Sequence, residues 1–401
     1  MIHRYRSNSI AAGAANWKKL ITGFAVLAGL AGATAGHADQ TFDLGNDKSL
    51  SLGFGLRTSF TTLQDGAPNG TSSSKSFNVD DTRLYITGHL NKMVSGTFNT
   101  ERDAAGNIVL MDGFTEFAFG DSFNVRAGRL IPPTDRSNLD GPFYLNVWQF
   151  PGVVSQYPNL AIGRDNGMLA WGKPMGGKVV YSAGAFTGHN AVTGGSNDSA
   201  SLLYAGRLVY NFFDPEPAPA YYTASTYYGS KDILTAALVM QHQNNGVGAS
   251  AATAGNYNSW SSDLLYETKD TGSGFFTVEG AYYKYGLGAV DCNSGEPGSA
   301  PCVGAGPNVG GLVAGKAYLA TVEYMFPEKV GMGRFQPYVR LQKFDRDVSQ
   351  TTNKQSDLGV NYVMDGFNSR ITAVYSKLDD NRLVGPLSSR NQFILGYQFQ
   401  Y

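Results

Sequence analysis

The sequence predicts an all-β protein, a transmembrane antiparallel β-barrel of about 16 strands. Three observations lead to this fold class. Segments of about ten residues, in which apolar and polar side chains alternate, recur along the chain. The connections between these segments are alternately short and long. Beyond residue 38, no apolar stretch approaches the ~18 residues that a transmembrane helix needs.

The predicted strands are segments in which every second residue is apolar. A strand places residues i and i+2 on the same face, so the alternation gives it one apolar and one polar face. In a membrane barrel the apolar face meets lipid and the polar face meets the lumen. The pattern is clear in residues 50–56 and 318–326, whereas residues 232–243 are apolar on both faces. The predicted strands cover residues 49–61, 80–91, 93–102, 111–120, 122–131, 164–173, 177–187, 201–213, 232–243, 258–268, 273–286, 315–326, 334–346, 354–364, 368–378 and 390–401.

The lengths of the connections fall into two classes. Those after even-numbered strands are mostly tight turns, such as Asn91-Lys92 and Gly120-Asp121. Those after odd-numbered strands are mostly longer and rich in Gly, Ser, Asn and Pro; they cover residues 62–79, 132–163, 188–200, 287–314 and 379–389. Short turns at one end and long loops at the other are the layout of an outer-membrane barrel. Residues 214–231 are an exception, because they are long where a short turn is expected.

The final predicted strand shows both faces within residues 391–401, NQFILGYQFQY. Polar residues and glycine take one parity, and Ile394 breaks the alternation. The other parity predicts the lipid face and consists of Phe393, Leu395, Tyr397, Phe399 and Tyr401. We expect this strand to close the barrel against the first one.

Aromatic residues near strand ends predict girdles at the two membrane interfaces. Tyr and Trp rings are amphipathic, and they are enriched where apolar chains meet water. The candidate girdle residues are Trp171, Tyr210, Phe212, Phe213, Trp260, Tyr324 and Phe326.

The N-terminal segment, residues 1–38, predicts a secretory signal peptide. It begins with basic residues and no acidic ones, continues with an apolar run over residues 20–35, and ends in small residues at Ala38. Cleavage is expected after Ala38, with residues 33–35 as the alternative site. Residues 39–401 would then form a single barrel domain. An uncleaved anchor is disfavoured because the apolar run is short and interrupted.

Composition and charge exclude several classes of protein. Only 16% of the residues are charged, against roughly 25% in an average soluble domain. The 50 Gly, 23 Tyr and 23 Phe fit a strand-rich chain and not a disordered one. Residues 1–38 hold four of the 31 Lys and Arg and none of the 32 Asp and Glu, so the mature chain would carry a formal charge of −5. An acidic chain lacks the basic footprint that nucleic acid requires.

Neither the cysteines nor the histidines predict a metal site, a cofactor or an enzyme. Cys292 and Cys302 lie in Gly- and Pro-rich sequence of an exported chain, and we expect them to form a disulfide that closes one loop. Two thiols without nearby His make a poor zinc site. An enzyme barrel would need a nucleophile beside a histidine, and His89, His189 and His242 show no such pattern.

Three stretches carry a resemblance to a known family. Asn124–Pro133, NVRAGRLIPP, ends a strand in an Ala-Gly-Arg step and two prolines. A long aromatic loop follows and re-enters a strand at Arg164–Gly167, and Tyr227–Leu234, YYGSKDIL, precedes a later strand. With the C-terminal aromatic Tyr401, these stretches make the chain resemble a Gram-negative trimeric porin. More narrowly, it resembles the phosphate-selective porin O/P family.

The resemblance implies a homotrimer of sixteen-stranded barrels in the bacterial outer membrane. Its partners would be outer-membrane lipid and lipopolysaccharide, with the barrel-assembly machinery acting on the C-terminal strand during insertion. The third long loop, residues 132–163, would fold inward as a constriction loop; the alternative is an exposed loop that packs on a neighbouring subunit. The candidate residues of this loop are Asp135, Arg136, Asp140, Tyr144 and Trp148.

Charged residues on the polar parity are candidates for lining the pore. They are Arg57, Arg83, Arg126, Arg340, Arg370, Glu101, Glu116, Glu279 and Glu323. Arg57, Arg83, Arg340 and Arg370 lie on strands that become close neighbours when the barrel closes. They would form one basic wall facing acids across the lumen, and opposed charges of this kind filter solutes by charge. In the alternative interpretation these charges are solvated or paired for structure.

These observations favour a porin for passive diffusion of small hydrophilic solutes and ions. Phosphate-selective members of the similar family line the pore with an arginine ladder and carry lysine clusters on their loops. Loop 132–163 has no lysine, and the mature chain is acidic, so a general porin is favoured. The alternatives are an anion- or phosphate-selective porin, and an adhesin or structural barrel without an open pore.

Overall fold

The computed structural model describes residues 40–102, 106–156, 163–188, 201–216, 221–247, 255–288, 313–347 and 349–401. The expected signal peptide, the expected disulfide between Cys292 and Cys302, and residues 157–162 of loop 132–163 lie outside this part of the chain. The strands of the described part are β1 (Gln40–Gly45), β2 (Lys48–Leu63), β3 (Ser74–His89), β4 (Val94–Arg102), β5 (Ile108–Ala118), β6 (Asn124–Leu130), β7 (Asp165–Gly172), β8 (Val179–Phe186), β9 (Leu203–Asn211), β10 (Ile233–Val247), β11 (Gly255–Glu267), β12 (Phe275–Gly286), β13 (Gly315–Met325), β14 (Arg334–Arg346), β15 (Thr352–Asp365), β16 (Ser369–Asp380) and β17 (Ser389–Gln400). The helix α1 spans Arg136–Tyr144, and short 3-10 helices span Met175–Gly177 and Gly385–Ser388. No helix of the described residues is long and apolar enough to cross a membrane.

Strands β2 to β17 form one closed antiparallel sheet. Each strand pairs with the next along the chain, and β17 pairs with β2 from Gln392 opposite Leu63 to Gln400 opposite Gly55. This closure confirms the predicted barrel of 16 strands, and each predicted strand matches one strand of the ring. A closed ring leaves no sheet edge exposed, as a hydrocarbon environment requires.

Strand β1 is a short addition that the sequence did not predict. It forms a hairpin with β2, with Gln40 opposite Leu52, through Asn46 and Asp47 at φ of 55° and 60°. Asn and Asp tolerate this left-handed conformation, which two-residue hairpin turns require. Because β3 occupies the other side of β2, β1 lies on the β17 side, where Tyr401 Oη donates to Gln40 Oε1 at 3.4 Å. Its six residues were too short to show a clear alternation.

The two faces of the sheet have opposite character. On β17, Phe393 and Phe399 are exposed, whereas Gln398 and Gln400 are buried. The same alternation holds on β13, where Val322 is exposed between buried residues. The apolar face therefore points out of the ring and the polar face points inward, as the alternation predicted.

The prediction that Trp171 belongs to an aromatic girdle was wrong. Trp171 is only 8% exposed and shares the inward parity of Leu169 on β7. Its ring lies 6.2 Å from that of Tyr221, and the guanidinium of Arg126 lies 5.2 Å from its centre. Other inward aromatic side chains lie beside Trp171 at this level, so an inward tryptophan finds apolar contacts there. Trp260 and the other candidates except half-buried Tyr324 are exposed.

Candidate functional site

Inward-facing arginines pair with carboxylates of the barrel wall. Arg83 bonds to Glu101, directly opposite on β4. Arg340 Nε lies 2.6 Å from Oδ2 of Asp357, directly opposite on β15. The other pairs are Arg57 with Asp81 and Arg126 with Glu116, whose carboxylates are half-buried, and the buried pairs Arg164 with Asp112 and Arg207 with Asp263. Much of the charge predicted to face the lumen is thus neutralised within the wall itself.

Asp81 reaches Arg57 through a β-bulge between β2 and β3. Arg57 lies opposite Asp81 but Thr58 lies opposite Val79, which leaves Asp80 as an extra residue on β3. A bulge re-aims the side chains beside it, and here Asp81 Oδ2 comes within 2.6 Å of Arg57 Nη1. The alternation could have identified Asp81, because it shares the parity of Arg83.

The wall of β2 and β14–β17 holds loop 132–163 by its backbone carbonyls. The donor and carbonyl pairs are Arg57 to Trp148, Arg340 to Gln149 (2.6 Å), Arg370 to Leu145 (2.5 Å), Gln398 to Phe143 (2.9 Å) and Asn361 to Asn146 (2.7 Å). Buried carbonyl groups need donors, and these side chains supply them. The arginines expected to form a basic wall across an open lumen therefore contact the loop instead, because the loop covers them.

Arg370 differs from the other arginines of this wall. Its side chain is fully buried, and it forms no ion pair with a carboxylate among the described residues. It donates to Leu145 O and, at 3.1 Å, to Gln398 Oε1, and its guanidinium lies 5.5 Å from the ring centre of Phe367. Carbonyl dipoles and an aromatic face thus surround this cation.

Apolar contacts complete the packing of the loop. Trp148 lies so close to Gly396 that a Cβ at this glycine would come within 2.4 Å of its ring. Ile394 is 3% exposed and packs in one cluster with Leu145, Val147 and Trp148. The break in the alternation of β17 at Ile394 is thereby explained, because an inward apolar residue meets the loop.

Helix α1 begins with a buried charge cluster. Arg136 is fully buried; its Nη1 lies 2.7 Å from Glu216 Oε1 and donates to Ala224 O at 2.9 Å. Its backbone N donates to Asp263 Oδ2 at 3.2 Å, and Asp263 also accepts two bonds from Arg207 at 2.5 and 2.9 Å. The cluster joins α1 to β9, to β11 and to residues 214–231.

Two other predicted loop residues, Asp135 and Asp140, are buried carboxyls. Asp135 accepts a bond from Asn138 Nδ2 at 2.6 Å, and Asp140 accepts one from Thr223 Oγ1 at 2.5 Å. Burial raises the pKa of Asp135, and it raises the pKa of Asp140 well above its ordinary value, although the charge of Arg136 opposes the shift at Asp140.

Glu279, Glu323 and Tyr144 also lie at the contact between loop and wall. Ser137 Oγ donates to Glu279 Oε1 at 3.5 Å, and Asn146 Nδ2 donates to Glu323. The ring of Tyr144 lies 5.4 Å from that of Phe367 in an edge-on arrangement. The structure therefore gathers these predicted residues at one contact and does not spread them around a lumen.

The described residues of the connection 214–231 also include some that lie inside the ring, and this connection belongs to the end that carries the short turns. Its described residues 221 and 224–227 are buried. Tyr221 Oη donates to Ile131 O at 2.6 Å, and Ser225 N donates to Tyr144 O at 3.1 Å. Loop 132–163 begins at the opposite end of the barrel, so the two segments enter from opposite ends and meet.

Glu267 binds described residues of the connection 214–231, called the second segment below, to the wall. Its carboxylate accepts bonds from Thr226 Oγ1 at 2.5 Å, from Tyr227 N at 3.1 Å and from Gly229 N at 2.8 Å. A carboxylate that accepts several hydrogen bonds from one chain segment holds that segment firmly. The sequence marked 214–231 as unusually long, but it did not indicate where the segment lies.

A space inside the ring lies beside β3–β6, among the residues that the structure describes. It is a cavity of about 310 Å³, bounded on its other side by α1 and Tyr222. From Arg83 to His89 its lining runs about 20 Å along β3. The Arg, Asp and Glu residues of the lining are Arg83, Asp112, Glu116, Arg126, Asp140 and Arg164. This polar space can hold water and small solutes.

Comparisons with known proteins agree with the fold. No family model and no curated protein sequence matches the chain. Outer-membrane expressed OmpT of Vibrio cholerae superposes with a TM-score of 0.56 and 12% identity, over 90% of this chain and all of that chain. OmpF of Salmonella typhi, in complex with daunomycin, gives 0.56 and 9% over the same shares. The outer membrane channel DcaP of Acinetobacter baumannii gives 0.52 and 11%, over 90% of this chain and 99% of that chain. The fold is thus that of outer-membrane β-barrels.

Proposed function

We propose that this chain is an outer-membrane porin, a water-filled channel for passive diffusion of small hydrophilic solutes and ions. The observation that carries the proposal is the polar cavity beside β3–β6, inside a closed ring with an apolar outer face. A barrel that served only as a scaffold would need no such space. The likeness to a protein described as an outer membrane channel supports the proposal.

The pairing of charges favours a general porin over a phosphate-selective one. Along the cavity, Arg83, Arg126 and Arg164 each have a carboxylate partner in the wall. A ladder of free arginines would attract phosphate, but paired arginines offer little net field. Loop 132–163 acts as the constriction, with residues 214–231 beside it.

The setting of the channel follows from the sequence and from the resemblance to trimeric porins. Residues 1–38 direct export, and the mature barrel resides in the bacterial outer membrane as a homotrimer. Outer-membrane lipid and lipopolysaccharide surround it, and the barrel-assembly machinery inserts it.

Recordings in planar bilayers test this function. Purified, refolded protein should give stepwise conductance in KCl and a reversal potential near zero in a KCl gradient. Added phosphate should leave the KCl current unchanged. A folded barrel that gives no current would indicate an adhesin or structural role, and block by phosphate would indicate an anion-selective porin.

A further inference from the structure

The cavity carries uncharged polar side chains on two neighbouring strands of its wall. Ser95, Thr97 and Asn99 occupy every second position of β4, and Thr87 on β3 lies directly opposite Thr97. All four line the cavity, and they are called the polar strip below. Since successive residues on one face of a strand are about 7 Å apart, the strip follows the cavity for about 14 Å. It offers hydroxyl and amide groups, and no charge, to a solute.

The polar strip has hydrogen-bonding capacity that the described residues do not use. Thr87 and Thr97 are only partly buried, and their hydroxyl oxygens lie 3.4 Å apart. A hydroxyl offers one donor and two acceptor positions, so one contact does not saturate it. Asn99 Nδ2 donates to Asp112 Oδ2 at 3.0 Å, but the buried Oδ1 of Asn99 accepts no hydrogen bond from the described residues. Because a buried acceptor without a donor is unfavourable, a ligand that supplies hydroxyl donors fits this wall.

The arginines and carboxylates of the lining already have partners. Arg164 Nε lies 3.0 Å from Asp112 Oδ1, and Arg83 and Arg126 also have carboxylate partners in the wall. The remaining carboxyl of the lining, Asp140, accepts a hydrogen bond from the second segment at 2.5 Å. A charged ligand would have to displace one of these partners, and breaking a buried ion pair is strongly destabilising. An uncharged ligand leaves the pairs intact.

Aromatic rings border the polar strip and the other side of the cavity. Phe114 on β5 lies directly opposite Thr97. Tyr144, at the end of α1, and Tyr222, in the second segment, line the other side and are only partly buried. The face of an aromatic ring can cover apolar C–H surface of a ligand, and removing that surface from water is favourable. The cavity therefore suits a ligand that has hydroxyl groups at its edge and C–H groups on its faces.

We propose that this cavity binds an uncharged saccharide as it passes through the channel. The proposal deepens the porin function proposed above and rests on it. Saccharide rings combine hydroxyl groups, each of which donates and accepts hydrogen bonds, with apolar C–H faces. The hydroxyl groups bond to Thr87, Thr97 and Asn99, while a ring face packs on Tyr144 or Tyr222. The cavity volume of about 310 Å³ lies at the lower end of the ~300–1,000 Å³ found for ligand pockets, so the ligand is a small saccharide.

Block of the ionic current by a sugar tests the site. Single channels of the purified, refolded protein are recorded in planar bilayers in KCl while maltose is titrated. Bound maltose obstructs the channel, so the conductance should fall to a plateau with a measurable half-saturating concentration. The double variant Thr87→Val/Thr97→Val keeps the shape but loses two hydroxyls, and its half-saturating concentration should rise about tenfold. The matched control, Thr100→Val/Thr115→Val, makes the same change on the outer face of β4 and β5 and should match the wild type.

Further arms separate the alternatives. Tyr222→Leu removes a ring face without altering a strand, should also weaken the block, and gives an independent reading if the double variant fails to fold. Folding is monitored by the heat-dependent shift of the barrel on gels. A KCl current that maltose does not block would overturn the saccharide site and leave the porin function standing, whereas a folded barrel without KCl current would contradict both. Equal block of the wild type and of Thr87→Val/Thr97→Val would also overturn the proposal, as would equal block by the zwitterion glycine betaine.

Discussion

At the scale of single residues, Asp140 couples the packing of the interior to pH. Its carboxyl lies where loop 132–163 meets Thr223 of the second segment, and burial holds its pKa well above the ordinary value. The packed state therefore retains a proton that an open state releases. The stability that the protonated carboxyl of Asp140 contributes to the packed state is fully present below the ordinary pKa of an aspartate. It is lost as the pH rises from that value through the raised pKa. Each unit of pKa corresponds to about 1.4 kcal/mol.

We expect alkaline solution to loosen the contact at Asp140 and to increase the single-channel conductance. The variant Asp140→Asn keeps an acceptor for Thr223 Oγ1 but cannot ionise, so its conductance should lack this pH step. Bilayer recordings over an acid-to-alkaline series measure the effect. Asp121→Asn, in an exposed turn, is the control and should behave as the wild type does. An identical pH step in Asp140→Asn would contradict the prediction.

The close packing of Trp148 on Gly396 can be tested by enlarging the side chain at position 396. A valine here would enter the space of the Trp148 ring, and overpacking of this kind costs about 1–3 kcal/mol. We expect Gly396→Val to displace the loop, which would lower the midpoint of thermal unfolding and alter the conductance. Gly206→Val is the control, because a Cβ there meets only Ser182 O at 3.6 Å. If both variants behave alike, Trp148 does not hold the loop at this glycine.

At the scale of elements, the strands were predictable and the inward segments were only partly so. The alternation locates β2–β17 because a barrel wall repeats one physical rule in every strand. It does not locate the contacts of Arg57, Arg340 and Arg370 with loop carbonyls, because a carbonyl leaves no mark in the sequence. Ile394 was a visible signal, since an apolar residue on the inward parity requires an apolar partner. The length of residues 214–231 was a second such signal.

Replacing residues 214–231 with an Asn-Gly turn tests the role of the second segment. The change removes the partners that Glu267 has within this segment and the Glu216 partner of Arg136, and it clears space beside the loop. We expect a larger single-channel conductance together with lower thermal stability. Replacing the connection 64–73 with the same Asn-Gly turn is the control and should change neither. An unchanged conductance in the first variant would mean that the segment does not limit flow.

At the scale of the whole molecule, the two sides of the ring differ in their access to solute. The interior of β3–β6 borders the cavity, whereas Glu279 on β12 lies under α1 beside Ser137. We expect Glu116→Gln to leave Arg126 without its charge partner and to shift the reversal potential toward anion selectivity. Glu279→Gln, the same change on the covered side, should leave the reversal potential unchanged. Equal shifts in both variants would indicate that solutes pass along the whole circumference.

The off-centre cavity also has a consequence for engineering. The lining of the described cavity comes from β3–β6, from α1 and from Arg164 and Tyr222, whereas β12–β16 lie on the far side of the ring. A sensor built on this barrel could therefore carry a recognition group on Thr87 or Thr97 without changing the surface that faces the lipid. The circumference divides into a part that borders the cavity and can be redesigned for an analyte, and a part whose inner face contacts the described residues of loop 132–163.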